Sequence, residues 1–124
     1  MRKVIGIGET VLDIIFRDGQ PISAMPGGST FNAIISLGRA GVSTGFISET
    51  GNDRVGRLIT DFLEQNGCPS SGVCVYPNTK SPLSLAFLNE RNDADYVFYK
   101  DHPNDRLEFV YPDIERDDIV LFGS

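Results

Sequence analysis

The 124-residue sequence contains no tryptophan, a single histidine and only two cysteines. Cys68 and Cys74 are too few for a disulfide framework, and their spacing differs from the C-x-x-C of a zinc or redox site. The single histidine, His102, precedes Pro103 in a polar segment typical of a surface turn. A Ser-His-Asp triad or a multi-histidine metal site would have to be built around that one residue, so the sequence argues against both.

Long apolar runs and an excess of basic residues are also missing. No stretch approaches the roughly 20 apolar residues that span a bilayer, and the N-terminus does not resemble a signal peptide, so we expect a cytoplasmic protein without a membrane partner. The formal charge is −6, and all of it lies in residues 90–124, because residues 1–89 carry seven acidic and seven basic side chains. Binding to nucleic acid depends mainly on Lys and Arg, so we expect no nucleic-acid partner.

Short apolar segments alternate with amphipathic ones, which predicts an α/β fold. A buried strand is expected at 3–8, and Asp18-Gly19 predicts the tight turn of a hairpin over about 11–24. Further strands are predicted at 43–50, 73–76, 83–89 and 96–100, followed by an apolar strand near the C-terminus. A parallel strand as the last element would leave its crossover missing, which suggests an N-terminal piece of a larger protein.

Two helices are predicted. One follows Gly27-Gly28, with Ser29 and Thr30 as residues able to cap it, and runs to about Ala40. The other is capped by Asp53 and ends at Asn66-Gly67. The second helix has apolar side chains at the spacing of a face packed on a sheet, namely Val55, Leu58, Ile59, Phe62 and Leu63.

Two common phosphate-binding motifs are absent. Gly6-x-Gly8 could begin a dinucleotide fingerprint, but the third glycine position holds Val11, and a hairpin rather than a helix follows. No glycine is followed by Lys-Ser or Lys-Thr at the spacing of a P-loop.

The paired glycines Gly27 and Gly28 form the first candidate binding element, with Asn32 in the first turn of the helix that follows. Such a turn lets a ligand approach the backbone, and free N–H groups at a helix start favour anionic or hydroxyl-bearing ligands. A plain loop-to-helix turn explains the same residues equally well.

The second candidate is Asp13, a carboxylate within the apolar run Val11–Ile15. Burying a charge costs free energy unless the group faces a cleft or finds partners, and a carboxylate can accept hydrogen bonds from two neighbouring sugar hydroxyls. The alternative is an exposed residue on an edge hairpin. Asp13, Gly28 and Asn32 would converge if the hairpin and the glycine turn lie at the same edge of the sheet.

Four spaced segments together resemble the PfkB (ribokinase-like) carbohydrate kinases, most closely the fructokinase branch. They are Gly8-Glu9-x-x-x-Asp13, Pro26-Gly27-Gly28-Ser29-x-x-Asn32, Leu37-Gly38-Arg39-Ala40-Gly41 and Gly51-Asn52-Asp53-x-x-Gly56. The resemblance covers residues 1–124, which it identifies as the N-terminal portion of a single kinase domain. It implies a central, mainly parallel sheet flanked by helices, with a small β lid formed by segments of about 11–24 and 83–100.

The resemblance also implies roles for individual residues. Asp13, Gly27, Gly28 and Asn32 would hold the sugar hydroxyls, and Phe98 would either cover the apolar face of the sugar or serve only in packing the lid. Asp53 and Gly56 are interpreted as a helix cap and a contact between helix and sheet. Thr30 and Ile34 depart from the family pattern, which prefers small residues at both positions, and this leaves the sugar preference of the loop open.

A second family motif, a glycine-rich loop ending in an aspartate that acts as general base, does not occur in the sequence. ATP and Mg²⁺ are therefore expected to serve a full-length parent enzyme, and this chain alone is predicted to be inactive and to bind neither strongly. The alternative hypothesis is a non-catalytic sugar-binding or assembly module that forms a homodimer through its lid.

Overall fold

A computed structural model describes residues 2–101 and 113–123 of the chain. His102 lies outside the described residues. The ten elements, in chain order, are β1 (Lys3–Ile7), β2 (Val11–Arg17), β3 (Gln20–Gly27), α1 (Ser29–Arg39), β4 (Ser43–Gly51), α2 (Arg54–Gln65), β5 (Val73–Tyr76), β6 (Leu83–Leu88), β7 (Ala94–Tyr99) and β8 (Ile119–Phe122). None of the helices in these two ranges is long and apolar enough to cross a membrane.

The first sheet has the strand order β5-β4-β1-β8, and all of its pairings are parallel. Parallel strands need crossover connections. α1 lies in the connection from β1 to β4, which also contains β2 and β3, and α2 connects β4 with β5. β1 and β4 point to the same edge of the sheet, but Ile7 at the carboxyl end of β1 pairs with Ile47, so β4 continues to Gly51 beyond the end of β1. The predicted parallel sheet flanked by helices is confirmed.

The second sheet has the order β3-β2-β6-β7. Asp18 and Gly19 both have positive φ angles, 52° and 75°, which is the geometry of the predicted tight turn between β2 and β3. β6 and β7 form another antiparallel pair, and the two hairpins join through parallel pairing of β2 with β6. The sheet is thus built from the two segments that the family resemblance assigned to a lid.

Both helices contribute to one buried cluster against the first sheet. Phe31 of α1 is fully buried and packs edge-on against Phe46 of β4, with ring centroids 5.6 Å apart. Ile59 and Leu63 of α2 are also fully buried. The predicted apolar face of α2 was wrong at Leu58, which is 53% exposed because it lies on the side of the helix that turns away from this cluster.

The start of α1 also differs from the prediction. Neither Ser29 nor Thr30 is the N-cap residue; that position belongs to Gly28, and no side-chain hydrogen bond caps the helix. Gly28 has φ 133° and ψ 146°, a conformation that favours glycine over residues with side chains. Backbone geometry, instead of a hydroxyl, therefore begins this helix.

Candidate functional site

Asp13 and Gly27 are in direct contact on neighbouring strands of the second sheet. Asp13 lies on β2, opposite Met25 of β3, and its carboxylate extends along the strand toward Gly27. A Cβ atom built on Gly27 would overlap Asp13 Oδ2, so only glycine leaves room for the carboxylate in this position. The Asp13 carboxylate thus packs directly on the backbone of Gly27, which is itself buried.

The Asp13 carboxylate also has a partner on its other side. Ser84 of β6 pairs with Asp13, is 2% exposed, and its hydroxyl forms a hydrogen bond with the carboxylate. Burial raises the pKa of Asp13 above its usual value, and the hydrogen bond from Ser84 opposes this shift only in part. Asp13 is therefore a partly desolvated carboxylate held in place, which is the opposite of the exposed residue that the alternative interpretation required.

Gly28 and Asn32 lie where β3 leads into α1. The Asn32 backbone N–H donates to the Gly28 carbonyl oxygen at 2.8 Å, which forms the first turn of the helix. The Asn32 side chain is exposed. A Cβ atom on Gly28 would lie 2.5 Å from the carbonyl oxygen of Glu9, so the chain after β1 passes close to the start of the helix.

Phe98 lies on β7, two strands away from Asp13 in the same row. Ser84 pairs with Asp13 on one side and with Phe98 on the other, so the three side chains share one face of the sheet. Phe98 is 68% exposed and stacks on Tyr96, with ring centroids 6.1 Å apart. Strands are about 4.8 Å apart, so the Phe98 ring does not contact Asp13 directly but lies roughly 10 Å from it along this face.

A cleft of about 280 Å³ opens where the two sheets meet. It is lined by Glu9, Thr10, Glu49, Lys100 and apolar side chains that include Phe98. Thr10 Oγ1 donates a hydrogen bond of 3.2 Å to the Gly27 carbonyl oxygen, which connects the cleft to the glycine turn. Lys100 Nζ forms an ion pair with Glu9 Oε1 across the mouth of the cleft.

The sequence analysis did not single out Glu49, because its immediate neighbours Ser48 and Thr50 are polar and do not indicate burial. Glu49 is a charged residue within the run Phe46–Thr50, and the structure buries it to 5% exposure at the carboxyl end of β4. Tyr76 Oη donates to Glu49 Oε2 at 2.9 Å. Ser84 was missed because its significance depends on strand register, which the sequence does not show.

Asp53 and Gly56 have the structural roles that were predicted. Asp53 Oδ1 accepts a hydrogen bond of 2.8 Å from the Gly56 backbone N–H at the N-terminus of α2. Asp53 also accepts hydrogen bonds from the N–H and hydroxyl of Ser81, at 2.8 and 2.5 Å. Burial acts to raise the pKa of Asp53, but these hydrogen bonds outweigh it and hold the pKa below its usual value. A Cβ atom on Gly56 would overlap the Gly51 carbonyl oxygen, so α2 packs closely on the end of β4.

The two departures from the family pattern, Thr30 and Ile34, are accommodated by a glycine in β1. Both side chains are buried against Gly6, where a Cβ atom would lie 2.6 Å from Ile34 Cγ1 and 2.9 Å from Thr30 Cγ2. They point into the core and away from the exposed Asn32. The larger residues therefore change packing beneath the loop.

The described residues offer no ligand set for a metal ion. Across residues 2–101 and 113–123, no three His, Cys, Asp or Glu side chains are grouped closely enough to hold one. Mg²⁺ in kinases is held mainly by waters and substrate phosphates, with one or two protein carboxylates. The described residues therefore do not form a site that would hold this ion through protein ligands alone.

Comparison with known proteins agrees with this fold. Fructokinase-1 of Oryza sativa subsp. japonica is 24% identical over 132 aligned positions, which cover 98% of this chain and 41% of that protein. A 5-dehydro-2-deoxygluconokinase from Geobacillus kaustophilus is 35% identical over 93 positions, covering 73% of this chain and 27% of that protein. The crystal structure of fructokinase from Xylella fastidiosa with bound ATP matches with a TM-score of 0.68 at 20% identity, over 81% of this chain and 34% of that one.

The chain spans 41% or less of the length of each of these three proteins. The family match nevertheless covers nearly all of the chain, since the pfkB family carbohydrate kinase model matches residues 1–121. The chain belongs to the pfkB family of carbohydrate kinases.

Proposed function

We propose that this chain is the sugar-binding portion of a fructokinase-like, ATP-dependent carbohydrate kinase of the cytoplasm. The parent enzyme would transfer the γ-phosphoryl group of ATP to a sugar hydroxyl. The observation that carries the proposal is the Asp13 carboxylate, which is partly desolvated, hydrogen-bonded by Ser84 and packed against Gly27. A carboxylate prepared in this way accepts hydrogen bonds from hydroxyl groups without the cost of reorganising the site.

The other proposed contacts surround this carboxylate. Gly27 and Gly28 let the sugar approach the backbone, and Asn32 contributes the exposed amide of the first helical turn. Phe98 offers an apolar face on the same side of the sheet, in the row that contains Asp13. Sugars combine hydroxyl groups with apolar C–H faces, so a carboxylate and an aromatic ring on one surface suit this class of ligand.

We assign the binding site of the phosphoryl donor to a part of the parent enzyme outside these 124 residues. The glycine-rich motif with a catalytic aspartate, which the family resemblance leads us to expect in such a kinase, is absent from the 124 residues. When bound in the parent enzyme, Mg²⁺ would neutralise charge on the transferred phosphoryl group. The purified chain alone is accordingly expected to show no sugar-dependent ATP turnover, and turnover above a buffer blank would contradict this part of the proposal.

The test of sugar binding compares two equivalent substitutions in one hairpin. Asp13→Asn removes the proposed acceptor charge, whereas Asp18→Asn makes the same chemical change in the β2–β3 turn, where Asn also tolerates the positive φ angle. Titration of the purified chain with D-fructose, followed by ligand-observed NMR, should show binding that Asp13→Asn weakens at least tenfold and Asp18→Asn leaves unchanged. Binding that is equally strong in both variants would refute the role of Asp13.

A second candidate function is favoured by the exposed apolar side chains of the second sheet. Met25, Tyr96 and Phe98 are 51%, 58% and 68% exposed, and they share the face that carries Asp13. Exposed apolar patches mark interaction surfaces, so an assembly module that forms a homodimer through this sheet is the alternative. Light scattering distinguishes the two: a dimer that binds no sugar favours assembly, and a sugar-binding chain favours the kinase proposal.

A further inference from the structure

The connection between β5 and β6 leads from the first sheet to the second. Residues 77–82 make this crossing, and Ser81 within it is only 6% exposed. Gly51 at the end of β4 leaves no room for a side chain, since a Cβ atom there would overlap the Thr79 carbonyl oxygen and lie 2.7 Å from Ser81 N. The crossing segment therefore packs directly on the backbone at the end of β4.

The Ser81 hydroxyl uses its full hydrogen-bonding capacity in this position. Its shortest contact as a donor is to Asp53 Oδ1 at 2.5 Å, compared with 3.3 Å to the Gly51 carbonyl oxygen. It accepts from the Gly51 backbone N–H at 3.0 Å and lies 2.8 Å from Thr50 Oγ1, which can act as the second donor. A hydroxyl has one proton to donate and accepts two hydrogen bonds, so Ser81 is held from three sides.

The two carboxylate oxygens of Asp53 serve different parts of the structure. Oδ1 accepts from the Gly56 N–H at 2.8 Å, which caps α2, and from the Ser81 hydroxyl. Oδ2 accepts from the Ser81 backbone N–H at 2.8 Å. A helix cap needs one side-chain oxygen only. The second oxygen of Asp53 therefore holds the crossing segment and is not needed by the helix.

Ser81 lies three residues before Ser84, the partner of Asp13 in the second sheet. Between them, the Pro82 carbonyl oxygen accepts the Leu12 backbone N–H at 3.1 Å, where the parallel pairing of β2 with β6 begins. Ser84 then lies opposite Asp13 in the same register. Since consecutive residues of an extended segment have a fixed spacing, a displacement of Ser81 would also displace Ser84 from the Asp13 carboxylate.

We propose that Asp53 is a positioning residue for the proposed sugar site, which holds Ser81 and thereby fixes Ser84 against the Asp13 carboxylate. The inference rests on the proposed sugar-binding function and extends it to a residue at the N-terminus of α2. Asp53 lies outside the second sheet, so its effect on the sugar is indirect and passes through β6.

Asp53→Asn tests this role without removing the helix cap. Asparagine is as good an N-cap residue as aspartate, so Oδ1 still accepts from Gly56. The amide nitrogen replaces Oδ2 and cannot accept a hydrogen bond from the Ser81 N–H. D-Fructose titration of the purified 124-residue chain, followed by ligand-observed NMR, should show an affinity about threefold to tenfold lower, which is the size of one weakened hydrogen bond.

The titration of Asp13 distinguishes positioning from a general loss of structure. The hydrogen bond from Ser84 lowers the pKa of Asp13, so displacement of Ser84 should raise this pKa, measured from the NMR shift of the carboxyl carbon. Removal of the Asp53 charge alone would act in the opposite direction, because one carboxylate raises the pKa of another. Ser84→Ala provides the reference, with a larger rise in the pKa and a larger loss of fructose affinity.

Glu64→Gln is the matched control on the same helix. Glu64 accepts hydrogen bonds from the N–H and the hydroxyl of Ser70, at 2.9 and 2.8 Å, which is the same arrangement near the C-terminus of α2. Ser70 leads into β5 of the first sheet, so this variant should leave fructose affinity and the pKa of Asp13 unchanged. A second test variant, Asp53→Ser, covers the case in which Asp53→Asn does not fold, since serine also caps helices well but has one oxygen instead of two.

Each outcome bears on a different statement. Unchanged fructose affinity in Asp53→Asn and Asp53→Ser, or a loss of affinity without a rise in the pKa of Asp13, would overturn the positioning role while leaving sugar binding at Asp13 intact. An equal loss of affinity in Glu64→Gln would overturn it too, because any loosening of α2 would then have the same effect. Failure of the folded parent chain to bind fructose would refute the proposed function itself, and this inference with it.

Discussion

Replacing Gly27 with alanine should weaken sugar binding and change the free energy of unfolding only slightly. A Cβ atom at this position would overlap Asp13 Oδ2 and lie 3.1 Å from Asp13 Cγ, so the carboxylate must rotate away. An off-rotamer side chain costs about 0.5–1.5 kcal/mol. The substitution also lowers the conformational entropy of the unfolded chain, because alanine has less backbone freedom than glycine. This effect offsets about 0.4–1 kcal/mol of the cost. The net change in the free energy of unfolding should therefore stay within about 1 kcal/mol.

Sugar affinity should respond far more strongly than stability. A hydrogen bond to a charged group contributes about 1.5–3 kcal/mol, so losing one from the displaced Asp13 carboxylate lowers affinity roughly 10-fold to 100-fold. Urea unfolding and fructose titration of the same sample measure the two quantities. The control is Gly45→Ala, where the new Cβ would lie at an ordinary 3.7 Å from Ile5 Cγ1. Unchanged fructose affinity in Gly27→Ala would refute the contact between Asp13 and the sugar.

Three further predictions concern carboxylates. Asp53→Ala removes the cap of α2 and should lower the free energy of unfolding by about 1–2 kcal/mol, measured by urea unfolding. An unchanged free energy of unfolding would show that the cap does not stabilise the helix. The hydrogen bond from Lys3 and those from the backbone hold the pKa of Asp118 at about 2, so its stabilising contribution is present above pH 4 and is lost as pH falls toward 2. Asp118→Asn should flatten the acid-unfolding curve in that window, and an unchanged curve would contradict this. Burial raises the pKa of Asp13, so ionisation of this group destabilises the fold as pH rises through that pKa. Asp13→Asn should thus be at least as stable as the parent at pH 7, with the difference disappearing below pH 4; a variant less stable at pH 7 would contradict the assignment.

Most of the secondary structure could be predicted from local sequence patterns. The turn at Asp18-Gly19 and the cap at Asp53 each depend on residues a few positions apart, and both are confirmed. The prediction for Leu58 failed because amphipathic spacing identifies a broad helix face but not the width of the surface that covers it. The prediction of a side-chain cap for α1 was wrong. Ser29 and Thr30 are both able to cap a helix, but the N-cap position belongs to Gly28, and its role depends on a backbone conformation that the sequence pattern does not show.

The candidate site could be predicted only in part. Asp13 was recognisable as a charge within an apolar run, but this criterion does not find Glu49, which lies between Ser48 and Thr50. The partnership of Asp13 with Ser84 could not be read in this way, because it depends on which residues of β2 and β6 lie opposite each other. Long-range register is a property of the assembled sheet, and neither strand alone specifies it.

The pairing of β2 with β6 also determines when the proposed site can form during folding. Leu12 lies opposite Leu83, and five elements lie between these strands along the chain, namely β3, α1, β4, α2 and β5. The β2–β3 hairpin can form from residues that are close along the chain. The parallel pairing of β2 with β6 brings together residues that are far apart in sequence, and such non-local contacts form slowly. Asp13 contacts Ser84 only when β2 and β6 are paired. The β2–β3 hairpin alone would therefore contain the carboxylate without its partner, and sugar could bind only after the β2–β3 and β6–β7 hairpins have joined.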